Sequence, residues 1–155
     1  MLLFFEALAD NFHELHGEIQ RDLDVLPPEA LDWKPGAEMN SVSVIIVHLT
    51  GAERFLIGDI LMQDPSNRDR EAEFLVAGMN KADLLQRLSA TEDYIKAAFE
   101  KLSLSDLDAH RIHPRHGNQV SVSWALLHAL EHSATHVGHI QLTVQMWQQK
   151  SGGEG

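Results

Sequence analysis

The sequence contains no cysteine, which excludes disulfides, thiolate metal sites and cysteine nucleophiles. Basic residues are scarce as well: 12 Lys and Arg stand against 23 Asp and Glu, for a formal charge of -11. A chain this acidic repels phosphate backbones, so nucleic acid is not an expected partner. No apolar run approaches the roughly 18 to 20 residues that span a bilayer, so no membrane is expected either. The apolar start is interrupted by Glu6 and Asp10 and has neither a basic leader nor a small-residue cleavage site, so the expected compartment is the cytoplasm. Two hydrolase signatures are also missing. His13 and His16, in HELH, lack the spacing of H-E-x-x-H, and no G-x-S-x-G elbow exists, which leaves Ser133 and Thr135 as helix neighbours.

What remains is a chain of 155 residues, 44% apolar and 23% charged, enough for one domain with a continuous core. Apolar residues at spacings of three and four predict a first helix from about Leu3 to Leu26, stopped by Pro27 and Pro28. Asn40 or Ser41 caps a second, reaching to about Met62. Asn80 caps a third, which ends near Leu102, and Ser121 or Ser123 opens a fourth that runs to about Gln149. The segment around Pro114 and Gly117 reads as a long irregular crossover, and no strand is predicted. The expected fold is therefore an all-α four-helix bundle over residues 1–149 with long connections, followed by a flexible tail over residues 150–155.

Histidine is abundant. Ten are present, and on the fourth helix His128, His132, His136 and His139 fall within an arc of roughly 80°, with Ala125, Ala129 and Ile140 on or beside it. A lone histidine on an apolar face is more often a hydrogen-bonded core residue than a ligand. Four on one stripe demand partners for all their ring nitrogens, which an apolar bundle does not supply and a metal does. His132 and His136, four apart, can converge on one ion. His48 lies in the buried stripe of the second helix, among Val44, Ile45, Ala52 and Phe55, and aims at the same core. Three neutral imidazoles with a fourth position open make a centre able to activate water or a thiol; zinc, nickel, iron or copper would accept such ligands.

The ordered set Trp33-Lys34-Pro35, Asn40-Ser41, His48-Leu49, Ala52-Glu53, Trp124, His128, Glu131-His132 and His136-Val137-Gly138-His139-Ile140-Gln141 resembles the DinB/YfiT-like superfamily of metal-dependent enzymes. The resemblance covers nearly the whole chain. It implies an unusual four-helix bundle, often a homodimer, whose divalent metal (zinc or nickel first) is held at the positions of His48, His132 and His136. It also implies a small-molecule substrate and either hydrolysis or transfer of a low-molecular-weight thiol, since characterised branches include bacillithiol- and mycothiol-dependent S-transferases and a mycothiol-dependent maleylpyruvate isomerase. Some thiol transferases carry an acidic residue three positions after the second-helix histidine; here that position is Gly51.

Around these ligands, His128 and His139 are expected to support the metal site from the same stripe. Glu53, roughly 140° around the helix from His48, would either orient a ligand or lie on a solvated edge. His16 and Trp124 are expected to line a pocket, and Arg111 and Arg115 would bind an anionic substrate if the crossover folds over the metal. The loop histidines His110, His113 and His116 are read as solvated, and His13 as a surface residue. The alternative to an enzyme is a non-catalytic dimeric bundle whose metal or histidine core is structural or binds a small ligand. A fourth position closed by His128 or His139 would favour it.

Overall fold

The computed structural model describes residues 1–152. Its first helix, α1, spans Leu3–Val25 and buries Phe5, Leu8, Phe12, Ile19 and Leu23, the residues that recur at helical spacing. Pro27 and Pro28 end it, with a short 3-10 turn over Pro28–Ala30. Ser41 opens α2 (Val42–Glu53), its Oγ accepting from the Val44 N–H at 3.2 Å. Every residue of α2 is buried, so this is the central helix of the bundle. It continues as a wider π-helical stretch over Arg54–Met62, a form that often sits near functional sites. Gly58 belongs to that stretch because the Arg54 guanidinium lies across it, where any Cβ would collide, on its way to Asp64 and the Tyr94 ring.

A single-turn helix, α3 (Arg70–Glu73), interrupts the polar connection that follows. Asn80 caps α4 (Lys81–Phe99), its side chain accepting from the Asp83 N–H at 2.9 Å. The last helix, α5 (Val122–Gly152), packs against both α1 and α2, as α4 does from the other side. Ser121 caps α5 through the Trp124 N–H at 3.0 Å. Four long helices therefore form the bundle, and none among the described residues is long and apolar enough to cross a membrane.

Two expectations need correction. The crossover contains a hairpin in place of irregular chain: β1 (His110–Ile112) pairs antiparallel with β2 (Gln119–Ser121), His110 opposite Ser121. Its turn is closed by the Gly117 N–H to the His113 carbonyl at 2.8 Å, and Gly117 takes φ 70°, a conformation that glycine adopts without strain. Three-residue strands are too short to show alternation, which is why the pattern was not visible. The other correction is at the C-terminus, where α5 extends to Gly152 and takes Lys150 out of the expected tail. Lys150 Nζ lies 5.6 and 5.5 Å from the ring centroids of Trp33 and Trp147, themselves packed edge to face, and that contact favours the extra turn. The remainder of the tail, residues 153–155, lies outside the described residues.

The apolar interior is divided. One cluster gathers Phe5, Phe12, Leu56, Ile95, Phe99 and Ala129; the other gathers Ile19, Leu23, Leu49, Leu84, Leu88 and Val137. Each long helix crosses from one cluster to the other, and at the crossing it carries polar groups: His16 on α1, His48 and Glu53 on α2, Thr91 and Glu92 on α4, Ser133 on α5. A polar layer thus cuts the bundle near its middle. Such a layer is tolerated only when its members pair with one another.

Candidate metal centre

The α2 and α5 crossings bring His48, His132 and His136 together, with one potential ligand atom from each lying within 4.8 Å of the others. His48 Nε2 stands 3.2 Å from His132 Nε2, and the three ring centroids are 4.4 to 5.0 Å apart. Two nitrogens at about 2.0–2.1 Å from one tetrahedral ion lie roughly 3.3 Å apart, so the spacing suits a shared cation. Protonation is opposed at the same place. Burial, and then the neighbouring histidines, push the pKa of His132 down to about 3 and that of His136 to about 4, so both are neutral, lone-pair donors at neutral pH. The Nδ1 of His132 is buried with no protein partner.

His48 has a defined tautomer. Its Nδ1 lies 2.9 Å from Glu73 Oε2, and an ionised carboxylate only accepts, so Nδ1 carries the proton and Nε2 presents its lone pair. Burial acts to raise the Glu73 pKa, but hydrogen bonds from Arg68 and His48 outweigh it and hold the carboxyl below its usual range. Arg68 grips Glu73 with a two-point fork, Nε to Oε1 at 2.5 Å and Nη2 to Oε2 at 2.8 Å. This is the carboxylate–histidine arrangement that orients metal ligands elsewhere.

Glu73 and Arg68 were not singled out from the sequence, yet Gly51 marks where they go. A Cβ on Gly51 would overlap Glu73 Oε1 and approach its Cδ to 3.0 Å and Arg68 Nε to 3.3 Å. The acidic group missing from position 51 is therefore supplied by α3, through the space the glycine leaves. A glycine inside a buried helix was the available signal; its partner, more than twenty residues on in a polar connection, carried none.

The other sequence candidates are distributed differently from expectation. Glu53 is fully buried, not on a solvated edge, and bonds away from the triad: His16 Nε2 at 2.9 Å and the Ser133 hydroxyl, which donates at 2.6 Å. His16 is fully buried too and is absent from the wall of the cavity beside the triad. Burial works to lower its pKa, but the Glu53 charge and hydrogen bond, with Glu92 beyond, raise it. Ser133 and His16 belong to this polar layer because α1, α2 and α5 meet there, which one-helix projection cannot show. His13 is exposed, 2.8 Å from Glu92. His139 is exposed, and His128 is only half-buried, so the apolar stripe does not enclose all four histidines as expected. His139 Nδ1 lies 3.3 Å from His136 Nδ1, and His128 stacks on Trp124 at 4.8 Å. Neither joins the converging group.

A cavity of about 780 Å³ opens on His48 and His132, walled by Phe55, Leu56, Trp124 and His128 and rimmed by Arg68, Arg70 and Arg115. Arg115 is thus in the pocket. Arg111 is not; it turns to the Leu61 and His110 carbonyls. His113, read as solvated, is buried in the cavity wall, because the hairpin turn folds its ring beside Phe55 and accepts the Arg115 and His116 N–H groups on Nδ1.

The profile of DUF1572, described as a protein of unknown function, matches residues 2–151. Solved structures of the same architecture include a DinB-like protein from Bacillus cereus, 14% identical with a TM-score of 0.74 over 92% of each chain. YfiT from Bacillus subtilis, described as a probable metal-dependent hydrolase with an unusual four-helix bundle topology, is 16% identical, with a TM-score of 0.74 over 96% of this chain and 90% of its own. A variant of the mycothiol-dependent maleylpyruvate isomerase is 13% identical, with a TM-score of 0.65 over 88% of this chain and 62% of its own. At these identities the likeness shows a DinB/YfiT-type fold and nothing finer. No curated protein sequence matches the chain.

Proposed function

The chain belongs to the DUF1572 family, and from that premise we propose that it is a metal-dependent enzyme acting on a small molecule. The observation that carries the reading is the convergence of His48, His132 and His136 beside an open cavity, with no fourth side chain among the described residues closing the group. A structural site would be closed; a catalytic one keeps a position for water or substrate. When bound, a divalent ion held by three neutral imidazoles keeps its charge and lowers the pKa of a water or thiol brought to it. The chain's own groups do the rest. Glu73, clamped by Arg68, fixes the His48 tautomer; Phe55, Leu56 and Trp124 give the cavity an apolar wall for the body of a substrate.

Hydrolysis and thiol transfer both fit this site. YfiT's description supports the first and the mycothiol-dependent isomerase's name the second. The functional unit we propose is a homodimer, supported by exposed Leu127 and Leu142 flanking Ala134 and Gly138 on the solvent side of α5. Sedimentation as a monomer would remove that part. The central test is metal analysis of the purified protein and of His48→Ala, His132→Ala and His136→Ala. Each variant should lose most of its metal; full occupancy in all three ends the proposal. Zinc-loaded protein assayed with an activated ester, and separately with a thiol plus an alkylating electrophile, then separates the two chemistries.

A further inference from the structure

The rim of the cavity beside the triad is unusual for so acidic a chain. Three of its 12 basic residues, Arg68, Arg70 and Arg115, line this one space. The carboxylates at the same rim are already engaged. Asp69 Oδ1 caps α3 through the Ala72 N–H at 3.1 Å, Glu71 stands 3.4 Å from Arg70, and Glu73 is held by Arg68. Among the described residues no carboxylate pairs with Arg115.

Several donors that face the cavity are uncommitted, and Arg70 gives Glu71 only its Nη1. The Arg68 fork to Glu73 uses Nε and Nη2, leaving Nη1 without a partner in that pair. His113 Nδ1 accepts two backbone N–H groups, so in the neutral ring Nε2 carries the proton. The apolar wall is aromatic and fixed: Trp124 is stacked on His128 at 18° between planes, and Phe55 lies beneath Arg68 with the guanidinium carbon 5.6 Å from its ring centroid.

We infer that the site takes an organic oxyanion, a carboxylate or phosphate carried on a flat apolar body, with the anion on Arg70, Arg115 and the free edge of Arg68 and the body against Phe55 and Trp124. This rests on the metal-dependent reading above and narrows it to a substrate class. Arg68 is not a useful probe, since changing it also releases Glu73. Arg70 and Arg115 are exposed and hold no ligand of the triad, so they carry the test.

The experiment is calorimetric titration of the zinc-loaded protein with benzoate, phenyl phosphate and the neutral isostere benzamide, repeated on the Arg70→Gln/Arg115→Gln double variant. At least one anion should bind about tenfold or more tightly than benzamide, and the double variant should lose about that factor for the anion alone, with zinc content unchanged. The ranking of benzoate against phenyl phosphate distinguishes the two anion types. Equal affinity for all three probes, no binding of either anion, or anion binding unaffected by the double substitution each overturns the inference; the last would put the anion on zinc alone. Metal content, read separately, keeps the two proposals apart. Zinc bound without an anion preference sinks only this one, and an arginine-dependent preference in protein that takes no zinc sinks only the metal reading.

Discussion

Replacing Gly51 by alanine isolates the link between α3 and the histidine triad. In an ordinary helix interior the change stabilises by up to about 1 kcal/mol, because alanine is the better helix former. Here the new methyl occupies the position of Glu73 Oε1, so the carboxylate must withdraw from His48 Nδ1 and from Arg68. A hydrogen bond to a charged group is worth about 1.5–3 kcal/mol, so the net change is a loss of roughly 0.5–2 kcal/mol. At about 2–4 °C per kcal/mol for a chain of this size, the metal-free protein should melt roughly 1–8 °C lower. Zinc affinity should fall about 10–100-fold, the usual cost of losing a carboxylate that orients a ligand.

The assays are calorimetric melting without metal and zinc titration against a competing chelator. Gly17→Ala is the internal control, since a Cβ there meets only the Arg21 side chain, at an ordinary 3.5 Å; it should keep zinc affinity and gain a little stability. On a Glu73→Ala background, Gly51→Ala should cost no further affinity, because the group it displaces is gone. If Gly51→Ala behaves like Gly17→Ala in both assays, Glu73 does not orient His48 through the glycine gap.

Glu53→Ala should destabilise by about 3–5 kcal/mol, since it strands a fully buried His16 and unpairs Ser133; urea unfolding measures it, and a loss under about 1 kcal/mol would refute the pairing. The metal-free protein should lose stability as pH falls. His132 and His136 have folded pKa values near 3 and 4, below the unfolded value near 6.5, so the unfolded state binds more protons across that window and unfolding is favoured on acidification. His132→Asn should flatten the slope of the urea midpoint between about pH 6.5 and 4. His16 runs the other way: its raised folded pKa contributes stability present below about 6.5 and lost as pH rises through the folded value. Its replacement should therefore leave the slope below about pH 6.5 as it is and remove a loss of stability above it, and an unchanged profile in both variants would contradict these protonation states.

Much of the architecture is legible without coordinates. Helical spacing of apolar residues, the caps at Ser41 and Asn80, and the breaker at Pro27-Pro28 are local properties, and each recurs in the structure within a few residues. The same periodicity places His132 and His136 one turn apart and His48 on the inner side of its helix, because a helix fixes angular position from residue number alone. Local rules stop at the helix surface. They cannot say how far a stripe lies beneath neighbouring helices, so His128 and His139 emerge toward solvent while Glu53, assigned to an edge, is sealed under α1 and α5.

The four long helices, their starts and the inward direction of the three converging histidines follow from period, caps and side-chain chemistry along the chain. What surrounds them comes from packing alone: Glu73 entering over Gly51, His113 turned inward by the hairpin turn, and His16 paired with Glu53 across two helices. The reason is physical. Contacts between distant segments depend on which helices pack together and at what depth, and that is settled by the joint burial of the whole core, not by any stretch read alone.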